Sequence, residues 1–351
     1  MLLRQKFIIT LLFLTTSQLS QADVALDHED VEYTPGTGWQ IPGTSVNIGG
    51  YANIVANTDS KNKSVIDLSE SSLFFRWENG RLSFFSEIEL QNSAQIKRKS
   101  GIPQDSDYIG IERLYVDYLA TADLKLRYGK FLTPIGRWNE IHAAPLVWTT
   151  SRPLITKHTF PTNATGTMGY GSITPVNFEL DYSIYKSIGE DWRPNPELDP
   201  FEDAYGFHLS HPTEGLGSIG FSYSNFQQRS DRGESKNLIG IDYTWSKNRY
   251  EVSFEGVYRY SDYGQSSDEK GFFIQGVAPI SQNLYAISRY ESFHQAFSKN
   301  TMNLWLAGLS YQITPAMILK LEYDQVSHNR LISILNEYAP EGLYTSLAIL
   351  F

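Results

Sequence analysis

His208 and Ser210 stand two residues apart in Phe207-His208-Leu209-Ser210, where polar and apolar residues alternate. An imidazole base within reach of a hydroxyl is the minimum that nucleophilic catalysis needs. In an extended chain two residues span ~7 Å, whereas a direct hydrogen bond needs ~3 Å. The pair therefore reads as two polar groups on one strand face, and an enzyme such as a lipase is the weaker alternative. A second cluster, Glu190, Asp191, Glu197, Asp199, Glu202 and Asp203, offers the hard oxygen ligands that divalent cations take. The plainer reading of that cluster is a solvated loop. The chain has no Cys, and its seven His follow no metal-ligand spacing. No cofactor and no catalysis are expected.

Most charged residues obey a different rule, occupying every second position of short segments. Lys125-Leu126-Arg127-Tyr128, Glu179-Leu180-Asp181-Tyr182, Gly240-Ile241-Asp242-Tyr243 and Lys320-Leu321-Glu322-Tyr323-Asp324 are examples. Period two marks β-strands with two unlike faces. The polar face collects Arg76, Glu87, Glu89, Arg113, Asp117, Lys125, Arg127, Glu179 and Asp181 in the first half of the chain. It continues with Asp242, Glu255, Arg259, Arg289, Glu291, Lys320, Glu322 and Asp324. Charges in such numbers need water or opposite charges beside them. The other face is apolar, as in Leu82, Phe84, Ile88 and Leu90, or Val252, Phe254 and Tyr258. Trp77, Tyr118, Tyr243, Trp245 and Tyr311 fall at strand ends, where amphipathic rings suit a membrane interface.

About sixteen such segments fit between residues 46 and 351. Spacers of about three to six residues, such as Lys247-Asn248-Arg249, alternate with spacers of about eight to thirty. Short turns on one side and long loops on the other are the pattern of a transmembrane barrel. Closure also satisfies every backbone polar group in lipid, because it leaves no free edge. The sequence thus predicts an all-β fold: a transmembrane antiparallel β-barrel of about sixteen strands, apolar toward lipid and polar toward a water-filled lumen.

Composition agrees with this expectation. Aromatic residues make up 14% of the chain, with 22 Tyr. The mean hydropathy of -0.32 is diluted by the lumen-facing half of each strand. Arg4 and Lys6, the apolar run Phe7 to Thr16 and the small-residue site Ser20-Gln21-Ala22 mark residues 1–22 as a signal peptide for export. That run is too short to cross a hydrocarbon core of ~30 Å. Residues 23–45, with Pro35, Gly36, Gly38, Pro42 and Gly43, read as an irregular periplasmic leader, and 46–351 as the barrel. Loss of residues 1–22 removes two bases and no acid, so the charge of -10 becomes -12. That acidity argues against a nucleic-acid partner.

Tyr115-Val116-Asp117-Tyr118, followed by Tyr128-Gly129-Lys130-Phe131-Leu132-Thr133-Pro134-Ile135-Gly136-Arg137-Trp138-Asn139, resembles a strand-turn-strand of phosphate-selective porins of the O and P type. Ile41-Pro42-Gly43-Thr44 with Gly49-Gly50-Tyr51 resembles the barrel entry of dicarboxylate-channel porins. The final strand Leu343, Thr345, Leu347, Ile349, Phe351 resembles the C-terminal signature by which the barrel-assembly machinery recognises outer-membrane barrels. The resemblance implies a channel in the Gram-negative outer membrane for ions and small hydrophilic solutes, a homotrimer, and contact with outer-membrane lipid and lipopolysaccharide. It also implies that the third outer loop, residues 133–162, folds inward and constricts the pore. That loop carries Arg137, Trp138, Glu140, His142, Arg152 and Lys157, together with an apolar stretch Ala143 to Trp148 that is costly to expose. Phosphate selectivity is the alternative that the family name suggests. The acid-rich wall argues against it and toward a mild cation preference.

Overall fold

The computed structural model describes residues 33–59, 64–91, 95–97, 108–141, 143–175, 178–188, 199–261, 268–295, 301–327 and 341–351. The expected export signal 1–22, residues 23–32 of the leader, His142 and the acids Glu190, Asp191 and Glu197 lie outside these.

Sixteen long strands follow one another. They are β1 (Val46–Asp59), β2 (Ser64–Asn79), β3 (Leu82–Gln91), β4 (Tyr108–Thr121), β5 (Leu124–Leu132), β6 (Asn163–Ile173), β7 (Leu180–Ser187) and β8 (Phe201–Thr213). The second half comprises β9 (Gly217–Gln228), β10 (Asp231–Lys247), β11 (Tyr250–Ser261), β12 (Glu269–Pro279), β13 (Leu284–His294), β14 (Thr301–Thr314), β15 (Met317–Ser327) and β16 (Gly342–Leu350). Each pairs antiparallel with its sequence neighbours, and β16 pairs back onto β1 from Gly342↔Asp59 to Leu350↔Tyr51. The sheet is therefore a closed barrel. Phe351 completes the seam: its N–H donates to the Gly50 carbonyl at 3.0 Å and its carbonyl accepts from Gly50 N–H at 2.8 Å. Gly50 is required there, since a Cβ would meet the Ser72 carbonyl oxygen and the Phe351 ring.

The leader is less irregular than its Pro and Gly content suggested. Tyr33–Thr34 pairs with Gly38–Gln40, which extends the sheet beside β1. Turns after the even strands are short throughout, as expected. The β10–β11 turn is only Asn248-Arg249, both with positive φ, the geometry that two-residue hairpins favour. Arg249 offsets its strained backbone by donating to the Ser281 carbonyl at 2.8 Å and the Gln282 carbonyl at 2.5 Å. One long spacer is absent. After β9 the chain turns at once through Arg229-Ser230, because polar residues continue the ladder that the sequence pattern had ended early. Asp199 fastens this turn, accepting from Ser230 N–H at 3.0 Å.

Strand parity sorts the side chains as expected. Leu82, Ile88, Val116, Tyr118, Tyr250 and Tyr258 are exposed on the outer surface. Glu87, Glu89, Asp117, Asp242, Glu255, Arg289, Lys320 and Glu322 are buried inside. The interior also holds apolar groups that the polar-lumen rule did not foresee. Phe226, Leu238, Val257, Phe273, Val277, Ile287 and Phe293 point inward and form one buried cluster with Ile135, Trp138, Val147, Leu154, Ile155 and Phe160 from residues 133–162.

Candidate functional site: the inner loop and the cavity beside it

Residues 133–162 leave β5, cross the interior and return to β6. Two short helices punctuate them, α1 (Trp138–Ile141) and α2 (Leu154–His158). The two feet are tied together. Thr133 N–H donates to the Thr162 carbonyl at 2.8 Å, and the Asn139 amide donates to the Thr133 and Thr162 carbonyls at 2.8 and 3.0 Å. A bulge where β3 meets β4 shifts the register between Glu87↔Arg113 and Ile88↔Ile111. A bulge interrupts the ladder locally, and the Glu112 carbonyl accepts from the Asn163 amide at 2.7 Å.

The far wall then holds the loop by its backbone. Glu255 on β11 accepts from Arg137 N–H at 3.0 Å and Trp138 N–H at 2.6 Å. Glu322 on β15 accepts from Thr150 and Ser151 N–H at 2.8 and 2.7 Å. Glu291 on β13 accepts from Leu154 N–H at 2.7 Å. Cations take the carbonyls. Lys320 donates to Ala144 at 2.6 Å and Thr149 at 3.1 Å, Arg289 to Ser151 at 3.0 Å, and Arg259 to Thr159 at 3.2 Å. Ala144 reaches the seam, packing with Tyr51 and Ala348. Buried charges that meet several hydrogen-bonding partners are tolerable where isolated ones are not. The wall residues predicted from β11 to β15 are thus occupied with the loop: Glu255, Arg259, Arg289, Glu291, Lys320 and Glu322 all face it, and Asp324 is buried near them. Of the apolar stretch, Ala144 and Val147 are buried, while Leu146 stays exposed.

On β2 to β6 four of the predicted charges pair along the wall. Arg113 pairs with Glu87 at 2.5 Å, and Arg127 with Asp117 at 2.7 and 2.8 Å, where Tyr170 also donates to Asp117 at 2.8 Å. Their guanidinium groups lie over inward rings: Arg113 is 4.6 Å from the Phe85 centroid, Arg127 3.6 Å from Tyr115, and Arg76 5.5 Å from Phe85. Such contacts hold the cations flat against the wall. The aromatic floor Phe74, Phe85 and Tyr115 escaped the sequence reading. Parity carried the signal, since Phe85 alternates with Glu87 and Tyr115 lies between Arg113 and Asp117. Ser222, which accepts Gly136 N–H at 3.1 Å, carried no comparable signal.

Between the loop and β5 to β10 lies a cavity of about 710 Å³. Lys125, Arg137, Glu140, Asp181, His208 and Asp242 line it with the hydroxyls of Ser172, Ser183, Ser210 and Thr244. The short turn Ala122-Asp123 borders it, so it opens toward that end of the barrel. His208 Nε2 meets Asp242 at 2.9 Å rather than Ser210, and Asp181 accepts from the Ser172 hydroxyl. Arg137 and Glu140 are exposed to this space. Withdrawal from bulk water raises the Glu140 carboxyl above its ordinary range, against the pull of His208, Arg127 and Arg137. Glu179 is exposed at the β6–β7 turn and Lys157 on α2. Arg152 donates to the Asn139 side-chain oxygen at 2.7 Å and lies 5.0 Å over Trp138. Burial, reinforced by Lys157 and Arg152, holds the His158 imidazole down to about 3, so it is neutral.

No protein-family profile matches the chain. A curated relative, an uncharacterized protein of Aquifex aeolicus (strain VF5), is 24% identical over 332 residues, taking in 79% of this chain and 75% of the relative. Solved structures with the same fold include an anion-selective porin from Comamonas acidovorans, 13% identical with a TM-score of 0.62, covering 88% of this chain and 100% of that one. OmpF of Salmonella typhi, solved with daunomycin, is 12% identical with a TM-score of 0.62 and coverages of 88% and 98%. The outer membrane channel DcaP of Acinetobacter baumannii is 13% identical with a TM-score of 0.55 and coverages of 90% and 100%. At these identities the likeness concerns the fold.

Proposed function

We propose that the chain is an outer-membrane porin, exported by residues 1–22, that passes small hydrophilic solutes through a lumen constricted by residues 133–162. The observation that carries this reading is the loop hung inside a closed barrel, with a charged, hydroxyl-lined cavity of about 710 Å³ beside it. Apolar residues outside and polar residues inside are what a barrel with lipid on one side and water on the other requires. The cavity mixes Lys125 and Arg137 with Glu140 and Asp181, so the pore discriminates weakly between ions. The cations Arg113 and Arg127 are each matched by a carboxylate, which weighs against the alternative, an anion- or phosphate-selective pore. A homotrimer, contact with lipopolysaccharide and assembly through Phe351 belong to the same reading. Liposome swelling tests it: liposomes carrying the folded protein swell in small sugars, and more slowly as the sugar grows. Equal swelling with and without protein contradicts it.

A further inference from the structure

We infer that the outer wall of the barrel carries a binding site for a phosphate-bearing lipid, formed by a groove across β9 to β14. The groove encloses about 590 Å³ and is lined by Phe221, Ile239, Ile241, Tyr258 and Phe272. Its floor is low because Gly256 stands where its neighbours carry large side chains. In register Gly256 lies opposite Ile241 on one side and Phe272 on the other, and Phe272 faces Ser292. Two small residues between large ones leave a channel in the apolar wall.

Its upper rim is polar. Tyr258, Lys270, His294 and Thr301 form one cross-strand row, each directly opposite the next. Neighbours in such a row have Cβ atoms ~5 Å apart, so one tetrahedral anion can touch Lys270 and His294 together. Lys270 is exposed and makes no ion pair among the described residues. His294 Nδ1 meets the Thr301 hydroxyl at 3.2 Å, and the tautomer in which Thr301 donates leaves Nε2–H for a ligand. Among the described residues, the acid beside this row is Asp268, which accepts from Tyr258 at 2.5 Å. The row lies where β12 and β14 begin and β13 ends, at the long-loop end of the barrel, which is the headgroup level of the outer leaflet. An acyl chain running down from it would lie along Phe272 and Ile241. Apolar chain below and charge-assisted contacts above suit a lipid that ends in phosphate. The site rests on the barrel lying in a membrane and is independent of the pore.

The test uses the folded, purified chain in neutral detergent micelles and follows its thermal unfolding. Didecanoyl phosphatidic acid is expected to raise the midpoint saturably, and didecanoyl phosphatidylcholine or inorganic phosphate much less. Lys270→Gln should weaken the effect about tenfold, which is one or two charge-assisted bonds. Gly256→Leu should abolish it by filling the groove. The new Cβ itself fits, at 3.4 Å from Phe254 and 3.5 Å from Phe272, so the variant is expected to fold. Lys247→Gln, at the opposite end, should change nothing. Equal stabilisation by both lipids, or an unchanged response in Lys270→Gln, overturns the site. So does a change of oligomeric state in Gly256→Leu, which would make the groove an interface between copies. Channel conductance is read alongside, and its loss in every protein sample would fault the porin reading and not this one.

Discussion

The guanidinium of Arg289 grips Ser151 twice, donating to its carbonyl at 3.0 Å and to its hydroxyl at 2.7 Å. The same side chain pairs with Glu291 at 2.7 Å, and both are about 1% exposed. One wall residue thus fixes the loop and neutralises an acid that would otherwise be buried alone. Arg289→Ala is expected to cost on the order of 3 kcal/mol, the scale for removing one partner of a buried pair. Urea unfolding in micelles measures it. An unchanged midpoint would mean that the wall charges hold nothing.

Asn139 is the corresponding tie at the base of the loop. Asn139→Ala leaves the Thr133 and Thr162 carbonyls and the Arg152 guanidinium each short of one partner. The expected loss is about 1–3 kcal/mol, with the barrel still closed. Because the loop loses its clamp, single-channel current should become noisier. Quiet current at the wild-type level would contradict the clamp.

Selectivity should follow the two loop charges that line the cavity, Arg137 and Glu140, in opposite directions. Glu140→Gln shifts the reversal potential in a salt gradient toward anions, and Arg137→Gln toward cations. Since withdrawal from bulk water inside the lumen raises the Glu140 carboxyl, it is neutralised on acidification earlier than an ordinary carboxylate near ~4.3. The wild-type protein should therefore drift toward anions as pH falls from neutral, and Glu140→Gln should lack the early part of that drift. Identical pH profiles would remove Glu140 from the conducting path.

His158 gives a stability signature. Its folded value lies near 3 against 6.5 for the free side chain. The unfolded chain therefore binds the proton first, and stability present above 6.5 is lost as pH falls toward 3. His158→Phe should flatten that loss in denaturant titrations at pH 7 and pH 4. A steeper loss in the variant would contradict a neutral, buried imidazole.

The barrel was legible because its physics is local. Parity alone put Glu322 inside and Tyr323 outside, and spacers marked the turns. The site was less legible because its contacts are long-range. Nothing near Glu255 announces that it binds the backbone of residue 138, more than a hundred positions away. The wall inventory therefore overstated the charge that a solute meets: Glu291, Glu322, Arg289 and Lys320 are spent on the loop, and Arg113 and Arg127 on Glu87 and Asp117. The mild cation preference expected from that inventory therefore rests on the few charges left facing the cavity, Lys125, Arg137, Glu140 and Asp181 among them. Phe85 and Tyr115 went unassigned for a different reason: apolar residues were sorted to lipid by type, whereas parity sets these two inside.

In the porin reading, water and ions pass between the inner loop and the wall of β5 to β10. Planar-bilayer recording on the purified, folded chain tests it most directly. Stepwise, long-lived conductance increments are expected, with a reversal potential that moves in opposite directions in Glu140→Gln and Arg137→Gln. A bilayer that stays at baseline after verified insertion of folded barrels would contradict it.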